Sequence, residues 1–261
     1  MITKTITIFE SFAGIGAQTE ASKNLMKNNE LLKTLELIPD QVKFNNVGTS
    51  EWFIDAIISY DQLHNGTQLN FPKYKKLSKK VMLKFLLKYT LSKDKNFGSI
   101  VDIRAKNLPK IDIFTYSFPC TDLSTIGNQA GLEIGTRSGL LWEVKRVLSE
   151  LKLLKRLPKY LLMENVKNLF SSNHVDGWNI FASFLESLGY KNSIMVLNAK
   201  EFGIPQNRER AFCISELNGT DEIIVESKGS HTNIHDFLDF NIDNLIEEYK
   251  EVLPKNTASR V

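Results

Sequence analysis

With 261 residues, 42% of them hydrophobic and 24% charged, the chain has enough apolar material for one sizeable core or a core plus an appendage, which excludes disorder as its main state. No run approaches the roughly 18 uninterrupted apolar residues a membrane span needs, and Met1-Ile2-Thr3-Lys4 leads into a strand-like run rather than a signal peptide, so a soluble cytoplasmic protein is expected. The net charge of +3 hides an asymmetry: between Lys73 and Lys110, 12 Lys and Arg face two acids, while acids outnumber bases elsewhere, which suggests a polyanionic partner.

Apolar runs alternate with amphipathic stretches from the start, the pattern of an α/β domain with a mainly parallel sheet flanked by helices. Thr5 to Phe9 reads as the first strand, followed by a glycine-containing turn and a helix from Gln18 to Lys27. Val42 to Ser50 reads as the second strand. The basic stretch about 71–110 interleaves Val81, Leu83, Phe85, Leu86 and Leu87 with Lys79, Lys80, Lys84 and Lys88. It suits either a solvated amphipathic helix or a nucleic-acid surface. Ile111 to Tyr116 is the third strand, Leu140 to Lys155 a helix, Tyr160 to Met163 a buried fourth strand, and Trp178 to Leu188 a helix stopped by Gly189. Ile194 to Leu197 and Ala211 to Ile214 close the domain. The remaining 216–261 read as an acidic connector with a helix near Asp243 to Glu251.

In an open parallel sheet, ligands bind beyond the carboxyl ends of the strands. Phe12-Ala13-Gly14-Ile15-Gly16, Glu51-Trp52, Phe118-Pro119-Cys120 and Glu164-Asn165 all fall at such ends. The glycines admit positive φ and leave room for a close ligand, or simply form a turn. Glu51 stands where a ribose hydroxyl pair would need an acceptor; Trp52 offers an aromatic face or fills the core. Cys120, fixed by Pro119 on a strand-end loop beside Ser117, Thr121 and Ser124, reads as an exposed nucleophile, whereas Cys213 in an apolar strand reads as inert. The two cysteines lack the companions of a disulfide framework or zinc site, so no metal is expected. Glu164 carries a carboxylate from an apolar strand to its rim, as an acid or as a helix cap. In Gln206-Asn207-Arg208-Glu209-Arg210, alternation on extended chain turns both arginines to one side, toward a base or phosphate, or toward a rim carboxylate such as Glu164.

The ordered set formed by these motifs with Asp102-Ile103, Thr136-Arg137-Ser138-Gly139-Leu140, Glu164-Asn165-Val166 and Gln206 to Arg210 resembles the 5-methylcytosine DNA methyltransferases over roughly residues 5–215. Phe9 to Ala17 and Tyr160 to Val166 most resemble a bacterial subgroup with CG-methylating members. The resemblance implies a Rossmann-like S-adenosylmethionine-dependent fold, with residues 1–215 as the catalytic, cofactor-binding domain in a bacterial or phage cytoplasm. It implies that Phe12, Gly14, Ile15, Gly16, Glu51, Trp52, Asp102, Ile103, Pro119 and Leu140 hold S-adenosylmethionine, with S-adenosylhomocysteine as product. Trp52 and Ile103 would flank the adenine and Asp102 would accept from its amino group. The Cys120 thiolate would add to C6 of a flipped-out cytosine, Glu164 would hold a proton at N3 and Arg210 would bind O2. Arg208 would support the catalytic loop and Asn165 the Pro119-Cys120 backbone. Ser124 with Lys75, Lys76, Lys79 and Lys80 would contact double-stranded DNA.

Two features depart from that family. Pro119-Cys120-Thr121 stands where Pro-Cys-Gln is usual, and after Arg210 neither a target-recognition domain nor a Gly-Asn-Ser/Ala-Val segment follows. The expectation is the catalytic subunit of a split DNA enzyme whose second subunit supplies both. The alternatives are an RNA cytosine-C5 methyltransferase of the same fold, or a non-catalytic regulator that binds DNA or cofactor; retention of Cys120, Glu164 and Arg210 together counts against the regulator.

Overall fold

The computed structural model describes residues 4–27, 42–66, 77–93, 95–119, 138–172, 174–227, 229 and 233. The chain divides into two compact units, one of residues 1–197 with 209–225 and the other of residues 198–208 with 226–261. The larger unit extends past the expected boundary at 215, because the last strand runs to Leu217 and the Ile223 N–H donates to Ser193 Oγ at 2.8 Å.

The strands are β1 (Lys4–Ser11), β2 (Val42–Ser50), β3 (Ile113–Tyr116), β4 (Tyr160–Val166), β5 (Tyr190–Asn198) and β6 (Glu209–Leu217). They form one sheet in the order β2-β1-β3-β4-β6-β5. Pairs β1–β2, β1–β3 and β3–β4 are parallel, while β6 runs antiparallel to β4 with Val166 opposite Arg210. From β1 the chain moves out to β2 and then returns to β3 on the other side, so the strand order reverses at β1, the point where open parallel sheets of this kind place their ligands, beyond the carboxyl rim. The reversed direction of β6 brings the start of that strand to the same rim.

Between the strands lie α1 (Ala17–Lys27), α2 (Ile54–Asn65), α3 (Lys79–Lys93), α4 (Leu141–Leu153) and α5 (Val175–Ser187). The sequence reading passes over α2, although Ile54, Ile57 and Ile58 keep helical spacing and Gly66, at φ 64°, ends it. Alternation along β1 and β3 sends Phe9 and Phe114 to one face, where their rings stack at 5.5 Å. That face is covered by Leu141, Val144, Leu148 and Leu151 of α4 and by Trp178, Phe181 and Leu185 of α5, all essentially buried. Each such side chain contributes roughly 1.5–3 kcal/mol on burial. The opposite face presents Glu10 to Thr19 of α1.

In α3, Leu86 and Thr90 point inward, whereas Lys79, Lys80, Lys84 and Lys88 are exposed, as are Val81 and Phe85. The stretch is helical with its lysines in solvent, but Val81 and Phe85, expected on an apolar face, are exposed with them. The expected helix at Asp243 to Glu251 lies outside the described residues. Among the described residues, no helix is long and apolar enough to cross a membrane.

Candidate active site

The loop after β1 is held in left-handed backbone at Phe12 (φ 56°), Gly14 (54°) and Gly16 (84°). Two anchors tie it to the end of β2: the Ala13 N–H donates to the Ser50 carbonyl at 3.1 Å, and the Gly14 N–H to Glu51 Oε2 at 2.9 Å. The two glycines have different reasons. A Cβ on Gly14 would meet nothing within 4 Å, leaving open space for a ligand, but one on Gly16 would lie 2.3 Å from His64 Nε2 and 2.6 Å from the Tyr60 ring. The sequence reading assigned both glycines to ligand approach; at Gly16 the approaching atoms belong to α2.

Glu51 also accepts the Trp52 and Phe53 N–H groups on Oε1, each at 2.7 Å. A carboxylate offers about four acceptor positions, so the three backbone donors leave about one. Trp52 is 55% exposed, which removes the core-filling alternative and leaves an aromatic face open to solvent. Ile15 is equally exposed. Of the pair inside the basic stretch, Asp102 is exposed, while Ile103 is buried in the main core.

At the end of β3, Phe118 is buried and Pro119 half-buried, and Leu140 packs half-buried against the core. Asn165 Nδ2 donates to the Phe118 carbonyl at 3.1 Å, and its Oδ1 accepts the Val166 N–H at 2.8 Å. Gln18 Nε2 reaches Ser117 Oγ at 3.2 Å, linking α1 to the same turn. Cys120, Ser124, Lys75 and Lys76 lie outside the described residues. Cys213 is fully buried, and desolvation pushes its thiol up to about 11.

Glu164 lies within β4, not at a helix start, so the capping alternative falls. Its Oε1 is 3.2 Å from Arg210 Nε, with both side chains partly exposed. Arg210 Nη1 also donates to the Glu209 carbonyl at 2.7 Å. Arg208 immediately precedes β6 and belongs to the smaller unit, where its N–H donates to Asn198 Oδ1 at 3.1 Å. Among the described residues no group of His, Cys, Asp or Glu is placed to hold a metal.

Glu10 went unnoticed in the sequence, although an acid inside Ile8-Phe9-Glu10-Ser11 is itself a signal. It is fully buried, accepts from the Gln18 N–H at 3.1 Å and from Thr19 Oγ1 at 2.6 Å, and so terminates α1. Desolvation raises its carboxyl above the usual range, and the hydrogen bonds from Thr19 and Gln18 offset part of that rise.

These features define an α/β protein with a mostly parallel sheet whose order reverses at β1 and with a Glu164–Arg210 ion pair on the carboxyl rim. Residues 83–260 match the sequence model of the C-5 cytosine-specific DNA methylases. The chain is 39% identical to the type II methyltransferase M2.ScrFI of Lactococcus lactis subsp. cremoris, with 91% of this chain and 68% of that protein aligned. It is 38% identical to the orphan methyltransferase M.SssI of Spiroplasma monobiae, over 83% of this chain and 60% of that protein. Among solved structures, the fold is shared with the S. pombe Dnmt2 methyltransferase at a TM-score of 0.55 and 18% identity, over 95% of this chain and 68% of that one. The Entamoeba histolytica methyltransferase EhMeth gives 0.59 and 16%, over 97% and 68%. The chain belongs to the C-5 cytosine-specific DNA methylase family, the DNA (cytosine-5-)-methyltransferases, whose methyl donor is S-adenosylmethionine.

Proposed function

We propose that the chain methylates C5 of a flipped-out cytosine in DNA through a covalent adduct of Cys120 at C6, as the catalytic subunit of a two-chain enzyme. The observation that carries the reading is the Glu164–Arg210 pair on the rim, beside an Asn165 that fixes the Phe118 carbonyl two residues before Cys120. N3 and O2 are adjacent on the cytosine edge, and two side chains already 3.2 Å apart suit adjacent atoms. Cytosine C5 is a weak nucleophile until the ring becomes electron-rich. The Cys120 thiolate forms a bond to C6, Glu164 holds the proton at N3, and Arg210 stabilises the negative charge that builds at O2. Loss of the C5 proton with departure of Cys120 then restores the aromatic ring.

The residues present fit S-adenosylmethionine in kind: open space at Gly14, an exposed Trp52 face, a Glu51 carboxylate already tied to the Gly14 loop and an exposed Asp102 carboxylate support the reading. When bound, the cofactor supplies the methyl group that C5 accepts. Phe12, Ile15, Gly16, Ile103, Pro119 and Leu140 shape the surroundings, and Arg208 supports the catalytic loop. The exposed lysines of α3, with Lys75, Lys76 and Ser124, bind the DNA backbone without choosing sequence.

The chain spans 68%, 60% and 35% of M2.ScrFI, M.SssI and M.Rho11sI of Bacillus phage rho11s. In the two-chain reading a second polypeptide supplies target recognition and the last wall of the cofactor site. Trapping with a 5-fluorocytosine duplex tests the mechanism: an adduct through Cys120, lost in Cys120→Ala with cofactor affinity nearly unchanged, is expected. An adduct through Cys213, or full activity in Cys120→Ala, refutes it. The chain by itself should bind S-adenosylmethionine weakly and methylate nothing; robust site-specific methylation without a second chain refutes the split.

A further inference from the structure

The loop that the proposed function gives to the cofactor is gripped from behind by a residue outside that account. His64 lies in the last turn of α2 with its side chain 4% exposed. Its Nε2 is 2.9 Å from the Ile15 carbonyl, and its Nδ1 is 2.9 Å from Lys23 Nζ of α1. An ammonium only donates, so the Lys23 contact makes Nδ1 an acceptor. The ring proton of the neutral imidazole is then on Nε2, where it is donated to Ile15. The ring is further set by Tyr60, one turn earlier, at 4.4 Å between centroids, and Tyr60 OH lies 3.2 Å from Thr19 Oγ1. Glu20 Oε2 lies 3.7 Å from the same Nδ1.

Ile15 stands between the two positive-φ glycines with its side chain exposed. Its carbonyl accepts from His64 Nε2 at 2.9 Å. The imidazole fills the space a Cβ on Gly16 would occupy, at 2.3 Å. Glycine at 16 and histidine at 64 are two halves of one device.

We infer that His64 is a positioning residue for the reaction: it fixes the Ile15 carbonyl and so holds the Phe12–Gly16 loop in the shape that receives S-adenosylmethionine, with Lys23 setting its tautomer. The inference rests on the reading of that loop as the cofactor site.

The test uses the full chain with its second polypeptide. His64→Leu keeps the packing against Tyr60 but cannot donate, and should weaken S-adenosylmethionine binding by about five- to tenfold, the equivalent of one neutral hydrogen bond. His64→Gln can donate to Ile15 and accept from Lys23, and should restore most of the affinity. In methylation assays the loss should fall on KM for the cofactor rather than on kcat. Nitrogen NMR of the wild-type chain should show His64 protonated at Nε2 and not at Nδ1. Unchanged affinity in His64→Leu, equal losses in Leu and Gln variants, or the opposite tautomer overturns the inference. If His64→Leu does not fold, the Gln variant and the wild-type tautomer decide it. If the wild type binds no S-adenosylmethionine at all, the cofactor reading fails, and the tautomer, with faster hydrogen exchange at Gly14 and Gly16 in His64→Gln than in wild type as the contrary result, still judges the tether.

Discussion

Gly14 and Gly16 offer a controlled comparison, because alanine at either faces left-handed backbone but only one meets an obstacle. At Gly14, φ is 54° and nothing lies within 4 Å of the new Cβ, so Gly14→Ala bears the conformational cost alone, about 1–2 kcal/mol. At Gly16, φ is 84° and the Cβ would press to 2.3 Å from His64 Nε2 and to 2.6 and 2.8 Å from two Tyr60 ring atoms. Distances under 3 Å force a shift, and neither ring is a free end: His64 is hydrogen-bonded to Ile15, and Tyr60 is buried. Overpacking of this kind adds roughly 1–3 kcal/mol, for a total of about 2–5 kcal/mol. Urea unfolding followed by tryptophan fluorescence reads the larger unit, since Trp52, Trp142 and Trp178 all belong to it. With a slope of about 2 kcal/mol per molar, Gly16→Ala should unfold about 0.5–1.5 M earlier than Gly14→Ala. Adding His64→Ala to Gly16→Ala should recover part of the difference, because the two sites share the obstacle. Equal midpoints for the two glycine variants, or no recovery in the double variant, would show that the helix does not occupy the space behind Gly16.

Three further outcomes follow from other parts of the molecule. Cys213, buried with its thiol raised by desolvation to about 11, should resist iodoacetamide in the native chain and react on unfolding; mass spectrometry of the modified peptide checks this, and rapid native labelling would contradict the burial. Glu10 has its carboxyl raised in the folded state, chiefly by desolvation, so the fold binds that proton more tightly than the unfolded chain does. Stability should therefore fall as pH rises through the ordinary carboxylate range toward neutrality, and Glu10→Gln should remove that fall, read as the difference in unfolding midpoint between acid and neutral buffer; identical pH profiles would be the contrary result. Neutralising Lys79 and Lys80 together with Lys75 and Lys76 should flatten the salt dependence of DNA binding by up to about 0.9 in log–log slope per lost phosphate contact while leaving the methylated site the same. An unchanged slope would return α3 to a solvated helix face.

Much of the fold is local and could be read directly. Alternation and apolar runs located β2 from end to end, and located β1, β3, β4 and both core helices to within a few residues, because a strand or helix that buries one face must repeat its apolar residues at that period. The order of short motifs along the chain identified the family, and those after β1, β2 and β3 fell at strand ends because that is where a parallel sheet exposes its loops. Several things needed the assembled structure. α2 has little amphipathic contrast in sequence, since it buries Asp61 and Tyr60 along with Ile57, and its helical pattern passed unremarked. The antiparallel entry of β6 decided that Arg210 meets Glu164; strand direction is a property of pairing and leaves no trace in a single strand's composition. Glycine's tolerance of positive φ is written in the sequence, but which atoms approach it is not. Only the packing of α2 against the first loop decided that the space at Gly14 is open while that at Gly16 holds the ring of a histidine 48 residues further along, because a contact at that separation is fixed by how the helices lie on the sheet and by nothing local to either residue.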